Sequence, residues 1–163
     1  MYTFWVFLHI VGVFGFLLAH GTSALVAFRL RGERDAARVA ALLDLSSSSL
    51  GLMYVSVLLL LAGGIVAGFL GHWWGQAWIW TGLGVLVALM ISMYVLATPY
   101  YDRLRQAVGI QTYTQRRKGI SPGPTATPEE LAALLRSSRP IAVAAVGGLG
   151  LLVLLWLMMF KPF

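Results

Sequence analysis

Four long apolar runs without one charged side chain constrain this chain more than any other feature. They cover residues 3–28, 50–70, 77–97 and 141–160, and none contains Lys, Arg, Asp or Glu. A helix needs about 20 residues to cross the hydrocarbon core of a bilayer. Only 11% of the residues are charged, against about a quarter in soluble domains. The sequence therefore predicts an all-α polytopic membrane protein, a four-transmembrane-helix bundle forming a single membrane domain over residues 1–163.

The positive charges predict how this bundle lies in the membrane. Eleven of the 12 Lys and Arg residues lie in loops 29–49 and 98–140, and loop 71–76 has none. Because basic loops are retained in the cytoplasm, the first and third loops are predicted to be cytoplasmic. Both termini are then outside, in the inner membrane of a bacterial cell. The net charge of +6 is explained by this topology and indicates no nucleic acid. The expected partners of the basic loops are anionic lipid head groups.

Two segments of the cytoplasmic loops have the pattern of short amphipathic helices. Residues 33–45 place apolar side chains at helical spacing between charges and lead into the second span. The motif Thr127-Pro128-Glu129-Glu130 provides an N-cap, a proline at the first helical position and a glutamate at the third. It predicts a helix that ends near residue 138. Four tryptophans on or beside loop 71–76 predict an aromatic belt at the outer interface: Trp73, Trp74, Trp78 and Trp80.

Polar side chains inside the spans are the candidates for function, because such groups are costly in a bilayer. His9 and His20 both lie in the first span. At about 100° per residue they are only about 20° from sharing one face. They are about 16 Å apart along the axis at 1.5 Å per residue, so one cofactor cannot use both as opposite axial ligands.

His9 and His72 are predicted to lie at comparable depth and to meet across a helix pair. Two imidazoles that face each other are the arrangement that haem b needs, and Gly12 and Gly68 would make room for the macrocycle. Under the alternative interpretation, His9 hydrogen-bonds to a neighbouring helix and His72 is an exposed loop residue beside the tryptophans. The sequence leaves both open.

A second candidate site surrounds His20. Met90 and Met93 on the third span are expected at a similar depth, and a His/Met pair can ligate haem or a soft metal such as Cu(I). His9 would be a further candidate metal ligand. Under the alternative, the methionines fill the core and His20 joins a hydrogen-bond cluster with Tyr54 or Tyr94.

Several classes of protein lack their necessary residues here. No nucleophile elbow, phosphate-binding loop or zinc-protease motif occurs, and no span has the acid or lysine of a proton-coupled transporter. The absence of cysteine excludes disulfides and Cys-ligated clusters. The pair Gly64 and Gly68 matches a helix-packing motif, which favours packing within one chain over a dimer seam.

The first span also resembles a known family. Its opening Phe7-Leu8-His9-Ile10-Val11-Gly12 is similar to small bacterial four-helix membrane proteins of unknown function. These are distantly similar to copper-resistance D-type proteins and J-type protoporphyrinogen oxidases. The resemblance implies haem or metal binding at His9. The J-type oxidases also use a membrane-embedded lysine, and no span here contains one.

Three functions are therefore expected in order. The first is a haem-b-binding membrane protein of electron transfer or haem handling, with His9 as the first ligand. The second is a non-catalytic accessory or scaffold subunit, as a homodimer or in a larger membrane complex. The third is copper handling through His20 and the methionines.

Overall fold

The computed structural model describes all 163 residues and contains α-helices and no strand. Four helices are long and apolar enough to cross a membrane, which confirms the predicted four-helix membrane bundle. Two short helices lie between the third and the last of them. The elements, in chain order, are α1 (Tyr2–Leu30), α2 (Ala36–Leu70), a single 3₁₀ turn (Trp73–Gly75), α3 (Ala77–Ala107), α4 (Tyr113–Lys118), α5 (Pro128–Leu135) and α6 (Arg139–Phe160).

Two of the long helices extend beyond the predicted spans. The predicted amphipathic helix begins at Ala36 instead of residue 33, because the carboxylate of Asp35 caps it by accepting from the backbone N–H of Ala37 at 2.7 Å. It runs without a break into the second span as one helix, α2. Helix α3 continues through Pro99 to Ala107 instead of ending at residue 97. Its last turns bury Tyr100 and Leu104, and this packing offsets the hydrogen bond that the proline removes.

The loop between α3 and α6 is more ordered than its sequence pattern predicted. The capping box of α5 is present, with Thr127 and Glu130 bonding to each other's backbone N–H groups. This helix ends at Leu135, three residues before the predicted end, because Pro140 already stands in the first turn of α6. A second capping box, at Thr112, begins α4, which the sequence analysis did not predict.

Helices α1 and α2 form a tight antiparallel pair through glycines. A Cβ at Gly63 would lie 2.6 Å from the backbone nitrogen of His9, and one at Gly12 would lie 2.8 Å from the carbonyl oxygen of Ser56. Glycine permits such backbone contact in membranes, where no hydrophobic driving force brings helices together. Towards residue 30, Ser23 continues the interface by hydrogen bonds to Ser46 and Ser49.

Helices α3 and α6 form the second pair, which packs through side chains. The side chain of Leu89 fills the space beside Gly150, and the methyl group of Met158 lies 3.7 Å from the Cβ position of Gly82. The two pairs meet within the bundle where α1 contacts α6, at Gly147.

The largest buried apolar cluster lies at one end of the bundle. We call this the Arg-rich end, where Arg29, Arg38, Arg103 and Arg139 lie, and the opposite end, with Trp73, Trp74, Trp78 and Trp80, the Trp-rich end. The cluster joins the end of α1, the start of α2, the end of α3 and helix α5: Val26, Leu30, Val39, Leu43, Tyr100, Leu104, Ala107, Leu131 and Leu135.

A half-buried arginine fixes the two pairs to each other beside this cluster. One nitrogen of the Arg105 guanidinium, on α3, donates to the carbonyl oxygen of Leu43 at 3.0 Å and to the hydroxyl of Ser47, both on α2. Charge-assisted bonds of this kind are stronger than neutral ones. The Arg-rich end therefore holds the molecule together across the pairs.

Candidate functional site

His9 lies in the tight seam between α1 and α2. Its Nδ1 atom is 2.8 Å from the carbonyl oxygen of Leu60, and the ring lies against Gly64, whose Cβ position is 2.9 Å from the same nitrogen. With Nδ1–H donating to this oxygen, the lone pair is on Nε2. This is the orientation that a backbone carbonyl gives to many ligating histidines, and it is also a complete structural role for the side chain.

His72 lies elsewhere, after the end of α2. It adopts a left-handed backbone conformation, with φ 57°, where it begins the 3₁₀ turn, and its side chain is exposed. His9 contacts α2 at Leu60 and Gly64. His72 comes eight positions after Gly64, beyond the end of α2 at Leu70. The structure therefore places His9 within the seam and His72 in the turn that follows α2.

The space predicted for a macrocycle is filled. The backbone of α2 at Ser56 and Leu60 occupies the position beside Gly12, and the indole of Trp74 lies 3.1 Å from the Cβ position of Gly68. Within the chain these two glycines therefore provide close packing, and a haem between His9 and His72 stays a prediction.

His20 has a different environment, at the junction of α1 with the other helix pair. Its ring stacks on Phe16 with centroids 5.9 Å apart and planes 8° apart. Its Nε2 atom is 2.8 Å from the Cβ position of Gly147 on α6, and the methyl group of Met93 on α3 is 3.5 Å from the same position. Three helices thus converge on one imidazole, which is half-buried.

Neither nitrogen of His20 has a hydrogen-bond partner within the chain. The nearby hydroxyls are used locally: Thr22 bonds to the carbonyl of Leu18, and Ser23 bonds to serines on α2. The alternative cluster with Tyr54 or Tyr94 does not form, since these side chains are 68% and 71% exposed. Polar groups without partners are costly inside a membrane span, which makes His20 the candidate functional residue of the bundle.

The two methionine side chains of α3 differ in their exposure. Met93 is half-buried and approaches His20, whereas Met90, one turn away, is 53% exposed and faces away from the junction. The candidate site therefore consists of His20 and Met93, with Gly147 providing the close approach. An imidazole nitrogen and a thioether sulfur are soft, uncharged ligands, suited to Cu(I) and other soft metals.

The remaining aromatic and basic residues at the Trp-rich end form a separate cluster. The ammonium of Lys161 lies 4.3 Å from the ring centroid of Trp73, a cation–π distance. The indole N–H of Trp80 donates to the carbonyl of Trp74 at 3.0 Å. These contacts fasten the end of α6 to the turn between α2 and α3.

The chain was compared with protein-family models, curated proteins and solved structures, and no significant match was found. The resemblance based on the opening of the first span therefore stays a prediction.

Sequence reasoning placed His20 and Met93 at similar depth but missed the residue that brings them together. Gly147 lies beside Gly148 and Gly150 in the fourth span, and nothing in that local sequence indicates which side chain it contacts. Its partner is set by the register of α6 against α1, which no local pattern in either helix specifies.

Proposed function

We propose that this protein is a copper-handling membrane protein that binds Cu(I) between His20 and Met93. The observation that supports this proposal is that the His20 imidazole, which has no hydrogen-bond partner, and the thioether methyl group of Met93 both lie beside Gly147, where α1 of one helix pair meets α6 of the other. His9, whose Nδ1 contacts a backbone carbonyl, has a structural role in this proposal.

The chemistry of the two side chains favours Cu(I) over harder ions. Neutral nitrogen and sulfur ligands bind a soft monovalent cation, whereas Mg²⁺ and Ca²⁺ require oxygen ligands. Methionine is flexible enough to turn its sulfur towards His20 without moving the backbone. With only two protein ligands, the bound Cu(I) keeps open coordination positions. Such a site suits an ion that must be released again.

Titration with Cu(I) against a chromophoric Cu(I) chelator tests this function. We expect one Cu(I) per chain in purified wild-type protein. Loss of a second-shell partner alone weakens metal sites about 10–100-fold, so His20→Ala and Met93→Leu should each weaken binding at least about tenfold. Met90→Leu is the matched control and should bind as wild type. Wild-type affinity in both site variants, with folding verified by circular dichroism, overturns the proposal.

Haem b is the competing ligand for the same histidines, and the visible spectrum distinguishes it. Protein atoms lie beside both glycines that were expected to make room for haem, Gly12 and Gly68, so under the copper proposal we expect no Soret band after purification or haem addition. A Soret band lost in His9→Ala would instead support the haem-handling function expected from the first span.

A second candidate function, that of an accessory subunit, is supported by the lipid-facing surface of α2 and α3. The Tyr54 and Tyr94 side chains are largely exposed inside predicted spans, and neither hydroxyl has a hydrogen-bond partner. A neighbouring helix with an acceptor would satisfy them, either in a homodimer or in a larger complex. Measurement of the mass of the purified protein in detergent tests this. The proposal requires an oligomer or a complex with a stoichiometric partner, and the double variant Tyr54→Phe with Tyr94→Phe should weaken that association.

We also infer that the protein lies in the cell membrane with the Arg-rich end in the cytoplasm. The chain has no cysteine, so single cysteines report its orientation directly. A cysteine at Thr114 should react with an impermeant maleimide only after the membrane is opened, and one at Gln76 should react in intact cells. The reverse pattern contradicts the orientation.

A further inference from the structure

A cavity of about 720 Å³ lies at the Arg-rich end, outside the His20 site. It is bounded by the end of α3, by helix α5, by the connector before α5 and by the first residue of α6. Its polar lining includes Arg103, Arg139, Gln106 and Ser137. Nothing in the copper proposal uses this cavity.

The two arginines of this cavity have no partner within the chain. Arg105 is the only arginine whose guanidinium donates a hydrogen bond in the structure. Arg103 and Arg139 are exposed and line the cavity from different helices. The one acid in the lining, Glu130, accepts with one carboxylate oxygen from the backbone N–H of Thr127 at 2.9 Å and forms no salt bridge with either arginine. The cavity therefore presents two free guanidinium groups.

The depth of the cavity indicates what kind of molecule reaches it. Pro99 and Tyr100 lie just past the apolar run that ends at residue 97, and Arg139 lies just before the run that begins at 141. This is the level at which the head groups of the surrounding lipids lie. Tyr100 also fixes the wall of the cavity, since its hydroxyl donates to the carbonyl of Leu134 at 3.4 Å.

We propose that this cavity binds the phosphoryl group of an anionic phospholipid between Arg103 and Arg139. A guanidinium matches phosphate oxygens with two parallel N–H bonds, and two such groups, one from α3 and one from the start of α6, line this cavity. Basic pockets between membrane helices on the cytoplasmic side bind such head groups. The bound lipid then links α3 to α6 beside α5. A specific site of this kind differs from the general electrostatic attraction of the basic loops to the bilayer.

Native mass spectrometry of the full chain from nanodiscs of phosphatidylglycerol and phosphatidylcholine tests this site. We expect wild-type protein to retain one phosphatidylglycerol and to prefer it to phosphatidylcholine. The double variant Arg103→Gln with Arg139→Gln should lose at least about tenfold in retained lipid, since one bidentate charge-assisted contact is worth more than 1.4 kcal/mol. Arg116→Gln with Arg117→Gln removes the same charge from α4 of the same loop and is the matched control.

Each outcome decides the proposal. Loss of retained phosphatidylglycerol in Arg103→Gln with Arg139→Gln but not in the control, with an unchanged circular dichroism spectrum, supports the lipid site. Equal retention in both double variants, or equal loss in both, overturns it in favour of general electrostatic attraction. Inorganic phosphate is the second arm: if it protects Arg103 from a guanidine-modifying reagent in protein without phosphatidylglycerol, and lipid does not, the site serves a soluble phosphate and the lipid assignment is wrong. The copper titration is independent of these results.

Discussion

His9 and His20 lie on one helix and nearly on one face, yet their surroundings differ. His9 is enclosed by a seam of backbone against backbone, and the carbonyl of Leu60 pairs with its Nδ1. His20 lies where α1 touches the second helix pair, and no group in the chain hydrogen-bonds to it. The same residue type thus completes the packing in one region and stays available for a ligand in the other.

The difference follows from what each neighbouring helix presents. Glycines at positions 63 and 64 bring the α2 backbone close enough for one of its carbonyl oxygens to reach His9. At His20 a single glycine, Gly147, admits the ring, and the methyl group of Met93 lies 3.5 Å from the Cβ position of that glycine. Close packing of two helices gives the polar group of His9 a hydrogen-bond partner. The looser junction at His20 provides none.

Adding one methyl group to the interface between α1 and α2 should reduce stability more than any other change discussed here. In Gly63→Ala the new Cβ would lie 2.6 Å from the His9 backbone nitrogen, and neither backbone can move without separating the helices. Overpacking costs about 1–3 kcal/mol, and we expect the upper end of that range in unfolding from mixed micelles. Gly51→Ala is the control, since nothing lies within 4 Å of its Cβ position. Equal stability of the two variants would show that the seam is not tight.

Removing the arginine between the pairs tests whether the junction depends on the Arg-rich end. Arg105→Ala loses the bonds to Leu43 and Ser47, and we expect a loss of about 2 kcal/mol, as for hydrogen bonds to charged groups. Cu(I) affinity should fall with it, because α1 and α6 then separate at His20. Arg117→Ala, on exposed α4, is the control. Unchanged affinity in a destabilised Arg105→Ala protein would mean that the junction forms without this link.

Replacing each histidine sharpens the comparison most directly. His9→Ala removes an interhelical hydrogen bond and should cost about 0.6 kcal/mol, the average for such bonds in a membrane protein, with Cu(I) binding unchanged. His20→Ala should remove Cu(I) binding at little cost in stability, since its nitrogens have no partner. Parallel measurement of unfolding and metal titration gives both values. An exchange of these two phenotypes would refute the division of roles.

The smallest effect is expected at the turn that joins α1 to α2. The backbone N–H groups of Arg34 and Asp35 donate to the exposed Glu33 carboxylate and lower its pKa below 4.5. A lowered folded-state pKa means that the stabilisation is present above pH 4.5 and is lost as the pH falls through the folded-state value. Wild-type protein should lose slightly more stability on acidification than Glu33→Gln. Identical pH profiles would show that the turn adds nothing to the seam.

Much of the fold could be predicted from local patterns. Uncharged apolar runs specify spanning helices because unpaired backbone groups are not tolerated in lipid, and the cap at Thr127 specifies the start of α5. The end of α3 could not be predicted, because Pro99 suggests a stop and only the burial of Tyr100 and Leu104 against other elements carries the helix onwards.

The sequence by itself determined that four helices can cross a membrane and which end carries the positive charge. It also singled out the candidate ligands, which are His9, His20, His72, Met90 and Met93. Only the tertiary structure decided that His9 packs on Leu60, that His72 stands apart and that His20 meets Met93 at Gly147. The physical reason is that periodicity fixes which face a residue occupies along its own helix. The register and choice of the facing helix depend on glycine contacts between segments distant in sequence.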